Sequence, residues 1–313
     1  MPVRARRSTA HRATAGRPGR SSPRLGHRGL GSRDGRGRQV ISSAEDGSAD
    51  GVHPDVQPDL EQRVEEDTFD RAVDEGRQRL GRSWVQLLTT GFLGGFDVGV
   101  GVLALLLVQQ LTHNPLMSGL AFSAGFISLT LARSELFTEN FLVPVTAVVA
   151  KEGTPRALYR LWGTTLATNL VAGWLLSALL MAAFPSLGDT AIETAGHYIE
   201  LGITWHAFAL AVVGGMLITV MTYLQHSTES DGVRLVPAVI IGTVVSIGHV
   251  NHAVVASLMC FAALVAGAPF GYADWAGMAA LAIVGNMLGG LGLVTVLRLL
   301  QVPHKVIEAR EDG

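Results

Sequence analysis

The sequence predicts an all-α polytopic membrane protein with six transmembrane helices, arranged as a 3+3 inverted repeat with broken second and fifth helices. Three observations predict this fold. Long apolar runs fill residues 83–301 almost without charge, lysine and arginine concentrate in alternate loops, and two of the runs are too long for one helix. The averages of 48% hydrophobic and 16% charged residues hide this division, because they include a polar, arginine-rich start.

Six hydrophobic spans follow one another, at about residues 84–110, 116–151, 157–184, 204–225, 234–267 and 274–300. A helix of about 20 residues crosses the ~30 Å hydrocarbon core, so the second and fifth spans are too long for a single crossing. Polar residues interrupt both spans, as RSELFTEN in the second and SIGHVNHA in the fifth. Long spans interrupted at matching positions predict one discontinuous helix in each half.

The positive charges predict the orientation. Lysine and arginine occur in the N-terminal flank, in the loops near 151–160 and 226–234, and in the C-terminal flank, whereas the intervening loops contain none. Cytoplasmic loops carry an excess of these residues, so both termini are predicted to be cytoplasmic, in a cell (inner) membrane. Beyond residue 82, only Arg133 departs from this pattern.

The two halves also resemble each other in sequence. The third span contains TNLVAGWLL and the sixth contains GNMLGGLGL, so that an asparagine followed by small residues recurs at Asn169 and Asn286. Three spans followed by three more must have opposite orientations in the membrane. The repeat is therefore predicted to be inverted.

Three regions are predicted: a cytoplasmic tail at 1–82, a transmembrane channel domain at 83–301 and a cytoplasmic tail at 302–313. The first part of the N-terminal tail is rich in Arg, Gly, Ser and Pro, lacks the apolar core of a secretory signal, and is predicted to be disordered. Such a stretch is also compatible with a transit peptide or with an arm that binds nucleic acid or anionic lipid. A further alternative is that the start codon was chosen too far upstream, so that the stretch is not translated. The tail then becomes acidic and leads into a polar helix before the membrane, and we expect no nucleic-acid partner.

The first break, RSELFTEN, places charges at membrane depth. Irregular backbone survives there only when it is buried in protein or lines a watery cavity, so two breaks that meet near the bilayer middle indicate a pore. Arg133 and Glu135 point to opposite sides of a continuous helix, but a helix that ends near Ser134 lets Glu135 turn toward Arg133 or another buried donor. A structural pair and a contact with substrate both remain open. Thr138 or Asn140 is expected to cap the following half-helix.

The second break contains His249, Asn251 and His252. Asn251 is a good N-cap for the following half-helix, whose positive dipole end would face the break. A histidine there can exchange a proton near neutral pH, which suits a small anion that is neutralised in transit. We expect His249 to make a structural hydrogen bond. Because no Cys, Asp or Glu cluster accompanies the two histidines, the sequence predicts neither a metal site nor a cofactor.

The segments FSAGFISLTLARSELFTENFLVPV, RLWGTTLATNLVAG and VVSIGHVNHAVVASL resemble the formate/nitrite transporter family. The resemblance covers about residues 80–301, and is greatest to a branch with a Glu-Leu-Phe-Thr-Glu-Asn loop and no established substrate. It implies an aquaporin-like six-helix protomer and a homopentamer with one pore per protomer. It also implies transport of small monovalent anions or their conjugate weak acids.

The resemblance further implies roles for individual residues. Thr138, with Leu136 and Phe137, matches the loop beside the cytoplasmic constriction, where Thr138 would contact the central histidine, His252. Arg160 would help to attract anions to the vestibule. The remaining matched positions are the apolar constriction residues Phe122 and Phe126, and Asn169 of the third span. At Val245 and Asn251, and through the added charges Arg133 and Glu135, the chain departs from the formate channel.

The sequence thus predicts a channel in a lipid bilayer for a small anion or weak acid such as formate or nitrite, either passive or proton-coupled through His252. One alternative is a pore for small neutral solutes in which Arg133 and Glu135 exclude ions. Another is a membrane redox or haem protein, for which His206 and His252 are the loose candidates. An enzyme is not expected, because GxSxG, HExxH and glycine-rich phosphate motifs in their required contexts are missing from the sequence.

Overall fold

The computed structural model describes residues 56–312, so the predicted disordered part of the tail, within residues 1–55, lies outside the described residues. The described chain is helical. Its α-helices are α1 (Val56–Leu80), α2 (Trp84–Thr112), α3 (Pro115–Ala132), α4 (Val143–Val149), α5 (Pro155–Ala183), α6 (Gly188–Ile199), α7 (Trp205–His226), α8 (Asp231–Ile247), α9 (Ala253–Val265), α10 (Tyr272–Met287), α11 (Val296–Leu299) and α12 (Pro303–Asp312). Short 3-10 turns cover Phe137–Phe141 and Pro185–Leu187, and a π-helical segment, Leu288–Thr295, joins α10 to α11.

Within this part of the chain, five helical segments are long and apolar enough to cross a membrane. They are α2, α3, α5, α7 and the continuous segment Tyr272–Leu299. The second predicted span, 116–151, contains α3 and the shorter apolar segment Phe137–Val149. The fifth, 234–267, contains α8 and the shorter apolar helix α9.

Local sequence explains where the long helices begin. Ser83 and Gln86 form a capping box at the start of α2, in which each side chain serves the other's main chain. The side chains of Asn114, Thr154 and Thr204 accept amide hydrogens in the first turns of α3, α5 and α7. These caps satisfy donors that a helix start leaves unpaired.

Small residues allow the long helices to approach closely. α3 packs between α2 and α8, α5 packs on α2 and α9, and α7 packs on α10. At the contact between α2 and α3, a Cβ on Gly101 would collide with the main-chain oxygen of Phe122, and one on Gly125 would collide with that of Asp97. Close backbone approach of this kind is typical of helix packing in membranes.

The first and last described helices meet at the same end of the molecule. Lys305 of α12 pairs with Asp70 of α1 at 3.0 Å, and Phe69, Ala150 and Val302 form a small apolar cluster between them. α1 also packs along α4. The chain flanks on both sides of the apolar helices therefore lie together.

The sequence analysis did not predict α6, the π-helical segment or α12. α6 lies within a stretch expected to be a connecting loop, and it packs on α9 and α2. The π-helical segment includes Gly289 and Gly290, which face the backbone of α7 and the ring of Phe141. Short π segments of this kind occur frequently at functional sites.

Candidate functional site

The junction between α3 and α4, residues 133–142, interrupts the α-helical backbone and includes the 3-10 turn Phe137–Phe141. α3 ends at Ala132, and Arg133 follows in the left-handed conformation with φ of 52°. From Ser134 to Leu142 every residue is buried. Main-chain groups in such a place need partners within the protein.

Asn169 of α5 supplies those partners. Its Nδ2 donates to the carbonyl oxygens of Gly91 at 2.6 Å and Glu135 at 2.9 Å, and its Oδ1 accepts from the amide of Phe137 at 2.9 Å. One buried side chain therefore links α2, α5 and the junction.

Asn286 of α10 does the same at the junction between α8 and α9, residues 248–252. Its Nδ2 donates to Ala211 O at 2.7 Å and Asn251 O at 3.0 Å, and its Oδ1 accepts from Ala253 N at 2.9 Å. A glycine faces each asparagine: a Cβ on Gly95 would overlap the Asn169 carbonyl, and one on Gly215 would overlap the Asn286 carbonyl. We call these two asparagines the braces.

The two junctions are joined by a hydrogen bond between Thr138 Oγ1 and His252 Nε2, 2.6 Å apart. His252 Nδ1 accepts the amide hydrogen of Val255 at 3.2 Å, so Nδ1 carries no hydrogen. Assigned from this network, the neutral ring holds its hydrogen on Nε2 and donates it to Thr138. Both side chains are fully buried.

The predicted caps of the two half-helices are wrong. His252, and not Asn251, is the N-cap of α9, because α9 begins one residue later than expected. The N-cap of α4 is Leu142, and among the described residues no side chain accepts a capping hydrogen bond from the first turn of this helix. Thr138 is instead engaged with His252, and the Oδ1 of Asn140 accepts from Arg79 at 3.1 Å.

Asn251 has an unusual position beside His252. Its side chain is 1% exposed, and neither its Oδ1 nor its Nδ2 has a hydrogen-bond partner among residues 56–312. A buried amide without partners costs free energy and requires an explanation.

The structural pair considered for Arg133 and Glu135 is wrong. Glu135 is 1% exposed and forms ion pairs with Arg82 and, at 3.7 Å, with Arg79. Arg133 ends α3 with an exposed side chain. The last residue of α3 is Ala132, two residues before Ser134, and the chain then turns Glu135 toward the end of α1, so that its partner is another buried donor, the second possibility predicted.

The Arg160 side chain forms structural contacts at the end of α1. Its Nη2 donates to the carbonyl oxygens of Leu80 at 2.8 Å and Arg82 at 3.0 Å, and the guanidinium lies over the Trp84 ring. These contacts hold the link between α1 and α2. Attraction of anions by Arg160 stays a prediction.

Two polar cavities lie at opposite ends of α3 and α8. The first, of about 400 Å³, lies beside α1 and is called the α1 cavity. Its charged lining residues are Arg71, Asp74, Glu75, Arg79, Arg82, Arg133, Glu139 and Arg234, together with His226. The second, of about 250 Å³, lies beside α6 and is called the α6 cavity; Ser118, Glu193, His197, Ser246 and His249 contribute to its lining.

Between these cavities α3 presents a buried apolar stripe. Ser118 lines the α6 cavity and Leu129 lines the α1 cavity, and Phe122 and Phe126 follow from Ser118 at helical spacing. The two rings are fully buried and meet edge to face, with centroids 5.4 Å apart. On α8, Val245 is also fully buried. The predicted constriction residues thus lie along helices that connect the cavities.

The predicted loop residues Leu136 and Phe137 are buried beside Thr138. Leu136 has no exposed surface, and the Phe137 ring packs edge to face on Phe141 at 5.1 Å. Phe141 in turn packs on Trp162, whose Nε1 donates to Asn140 O at 2.9 Å. This aromatic chain fixes the 3-10 turn on which Thr138 lies.

The structural hydrogen bond predicted for the His249 side chain is not found among residues 56–312, where its contacts are with aromatic rings. Its backbone φ is 43°, and its ring stacks on His197 of α6 with centroids 3.9 Å apart. Among the described residues, no group of three or more His, Cys, Asp or Glu side chains could hold a metal ion.

Some important residues were missed from the sequence. Asp97 of α2 is buried and accepts hydrogen bonds from Ser128 at 2.6 Å and from Ser134, which fixes the end of α3. An isolated aspartate in the apolar run GGFDVGVGV was a usable signal, because a charge in a membrane span requires a partner. Arg79 and Arg82 were read only as orientation signals.

Outside the apolar helices, α1 carries a charged cluster facing the α1 cavity. Arg79 forms an ion pair with Glu75, and His226 Nε2 lies 2.9 Å from the other Glu75 oxygen. The charge of Arg79, with the hydrogen bond from His226, holds the pKa of Glu75 well below its ordinary value of 4.5 despite partial burial.

Comparison with known proteins gives one consistent result. The sequence model described as formate/nitrite transporter matches residues 66–300. The inner membrane protein YfdC of Escherichia coli (strain K12) is 26% identical over 250 residues, which cover 76% of this chain and 78% of YfdC.

Two solved structures share the fold. A pentameric formate channel with formate bound superposes with a TM-score of 0.61 at 20% identity, covering 69% of this chain and 96% of that one. An FNT family ion channel superposes with a TM-score of 0.66 at 15% identity, covering 75% and 98%. At these identities the likeness establishes the fold alone.

Proposed function

The chain belongs to the formate/nitrite transporter family, and on this premise we propose that it is a channel for small monovalent anions or their conjugate weak acids. The membership confirms the resemblance noted from the sequence, and it makes the chain a multi-pass membrane transport protein rather than an enzyme. Formate, which is bound in one of the related structures, is the first substrate to test.

The observation that carries the proposal is the hydrogen bond between Thr138 and His252, which joins two buried irregular segments between two polar cavities. Irregular backbone at membrane depth is tolerated where protein or a water-filled path surrounds it. We regard α3 with α4, and α8 with α9, as the two broken spanning helices. The matching bonds of the braces support a 3+3 inverted repeat.

Three features of the site suit a small anion. Arg133 places an exposed positive charge in the α1 cavity, which raises the local concentration of anions. The rings of Phe122 and Phe126 disfavour a charged species, so the solute crosses them as a neutral acid or as a briefly dehydrated anion. The unpartnered amide of Asn251 offers a polar contact beside His252.

The main-chain amides of α9 are less available than expected. Those of Ala253 and Val255 are already bound by Asn286 Oδ1 and His252 Nδ1. The positive end of α9 therefore acts on a passing anion mainly through its dipole field. Protonation of His252 at Nδ1 would require the loss of its bond from Val255, so proton coupling through His252 involves a change in the cap of α9.

Orientation and assembly complete the proposal. Because α1 and α12 meet beside the end of α4, both chain flanks lie on one side of the apolar helices. The positive loops support a cytoplasmic location for that side. The α1 cavity is then the inner vestibule and the α6 cavity the outer one. Exposed apolar side chains on the long helices suit lipid contact and a homopentamer, the assembly described for the related formate channel.

Proteoliposome uptake tests the proposed function. Formate, nitrite, hydrosulfide, acetate and glycerol are compared over a pH series, for the wild type, for His252→Ala and for protein-free liposomes. The proposal predicts saturable uptake of one or more of the anions, with a pH dependence that His252→Ala alters. Uptake of glycerol alone would instead identify a neutral-solute pore, and equal fluxes in all three preparations would show that the solutes tested are not transported.

A further inference from the structure

We propose that His197 and His249 form a proton-binding site in the α6 cavity, which protonates the permeating anion before it reaches the apolar stripe of α3. The inference rests on the proposed function and assigns a residue pair to it that lies apart from His252. Its ligand is a small weak-acid anion together with one proton.

The two rings come from different elements and contact each other directly. His197 belongs to α6 and His249 to the junction after α8, and their centroids are 3.9 Å apart with 27° between the ring planes. Tyr198 meets the His249 ring edge to face at 6.3 Å. Two imidazolium rings in face-to-face contact would repel each other, so the geometry favours one proton on the pair over two.

The backbone conformation of His249 supports a functional role for its side chain. Its φ of 43° lies in the left-handed region, where glycine is the default residue and a larger side chain is uncommon. Residues retained in such conformations cluster at functional sites, and the observed ring contact gives this one a specific chemistry.

The position of the pair suits exchange of protons with water. His197 is exposed and His249 is half-buried in the wall of the cavity. His252, by contrast, is fully buried, and both of its ring nitrogens are engaged. A proton from bulk water therefore reaches the outer pair without any change in the structure of the α9 cap.

The surrounding charges favour a single proton on the pair. Besides His197 and Tyr198, α6 contributes Glu193, one helical turn before His197, which stabilises a positive charge. The remaining lining residues, on α2, α3 and α8, are uncharged. Of the helices packed on α6, α9 contributes the neutral Cys260, and Asp274 of α10 is bound to the amide of Gly271 at 2.8 Å.

The chemical step is a simple proton transfer. The protonated pair attracts the anion, an imidazolium N–H gives its proton to an anion oxygen, and the N–H bond breaks as the O–H bond forms. The neutral acid then passes Ser118 toward Phe122, the next residue of the stripe, and the pair takes a new proton from water. Transport in the other direction uses the same steps in reverse.

The test is formate uptake by right-side-out vesicles in which only the outer pH is varied. We expect His197→Gln/His249→Gly to lose at least about tenfold of the protein-dependent uptake near pH 7.5, where the acid must be formed at the site. Near pH 5 the bulk water already supplies neutral acid, so uptake should stay within about twofold of the wild type. Because φ of 43° favours glycine, this variant is expected to fold normally.

Two further variants separate titration from structure. His249→Asn tolerates the left-handed conformation without titrating, so in the His197→Gln background it should behave like the glycine variant. His206→Gln removes an exposed histidine at the start of α7 and should follow the wild-type curve.

The proton site is disproved if the double variant follows the wild-type curve, or if it loses uptake equally at both pH values. In the second case the pair would serve the structure of the pore and not its protonation. Failure of the proposed function is distinguishable, because wild-type vesicles would then take up formate no faster than vesicles without the protein.

Discussion

The two junctions of this protein are held in the same way but carry different side chains. At each, a brace asparagine donates to two carbonyl oxygens and accepts one amide hydrogen. The α3–α4 junction then adds a buried glutamate clamped by two arginines near the end of α1. The α8–α9 junction, residues 248–252, contains no carboxylate and no arginine. It carries the bound ring of His252, the unpartnered amide of Asn251, and His249, which stacks on His197.

This difference separates architecture from function. The braces satisfy main-chain groups that lipid cannot, so either half of the molecule requires one whatever the solute. The side chains around them are free to differ, and they differ in charge. One junction is therefore anchored to the chain flank in α1, while the other presents unoccupied polar atoms to the interior.

Removal of a brace gives the largest expected effect. Asn169→Ala and Asn286→Ala each delete three buried hydrogen bonds, and each should lower the unfolding free energy by about 3 kcal/mol or more, since a buried unpaired group costs about 1–3 kcal/mol. Thermal unfolding in detergent measures this. Asn114→Ala, which removes an exposed helix cap, is the matched control and should cost about 1 kcal/mol. If one brace variant melted like the control, the two junctions would not be equivalent.

A double-mutant cycle sharpens the difference in charge. Arg82→Gln and Glu135→Gln should couple by about 0.5–3 kcal/mol, because the two side chains are in contact at a buried site. Arg133→Gln and Glu135→Gln should be additive within about 0.5 kcal/mol. Denaturation in mixed micelles supplies the unfolding free energies. Additivity of Arg82→Gln with Glu135→Gln, together with coupling of Arg133→Gln to Glu135→Gln, would instead indicate that Glu135 pairs with Arg133.

The smallest expected effect concerns the anchoring of α1 through Glu75. A carboxyl whose pKa is lowered by folding adds stability above its ordinary value of 4.5, and loses that contribution as the pH falls below it. The difference in melting temperature between the wild type and Glu75→Gln should thus be largest near neutral pH and shrink in acid. A difference that is constant with pH would mean that the Glu75 charge does not anchor α1.

Much of the fold was predictable from the sequence because membrane burial leaves simple signals. Span lengths, interrupted apolar runs and the recurring asparagine all depend on local composition, and Asn169 and Asn286 do occupy equivalent positions. The family resemblance also predicted a contact between Thr138 and His252. Their hydrogen bond is the feature of the site that was predicted most closely.

The remaining features depend on where each helix stops. The arrangement of charges changed because α3 ends at Ala132, which turned Glu135 toward Arg82 and left Arg133 exposed. A shift of one residue likewise gave the cap of α9 to His252 instead of Asn251. The exact ends of helices are the least predictable feature of a sequence. The contact between His197 of α6 and His249 could not be predicted either, because α6 lies in a stretch of mixed polarity and no local pattern links it to His249.

The most direct test of the central claim, that Thr138 and His252 join the junctions into one transport site, is formate uptake by Thr138→Ser and Thr138→Val proteoliposomes. Serine keeps the hydroxyl and should retain most of the wild-type flux, while valine should lose about tenfold or more, the rate equivalent of about 1.4 kcal/mol. Thr219→Val, at another buried threonine whose hydroxyl donates to Gly215 O within α7, is the control and should transport normally. Equal flux through the serine and valine variants would contradict the claim.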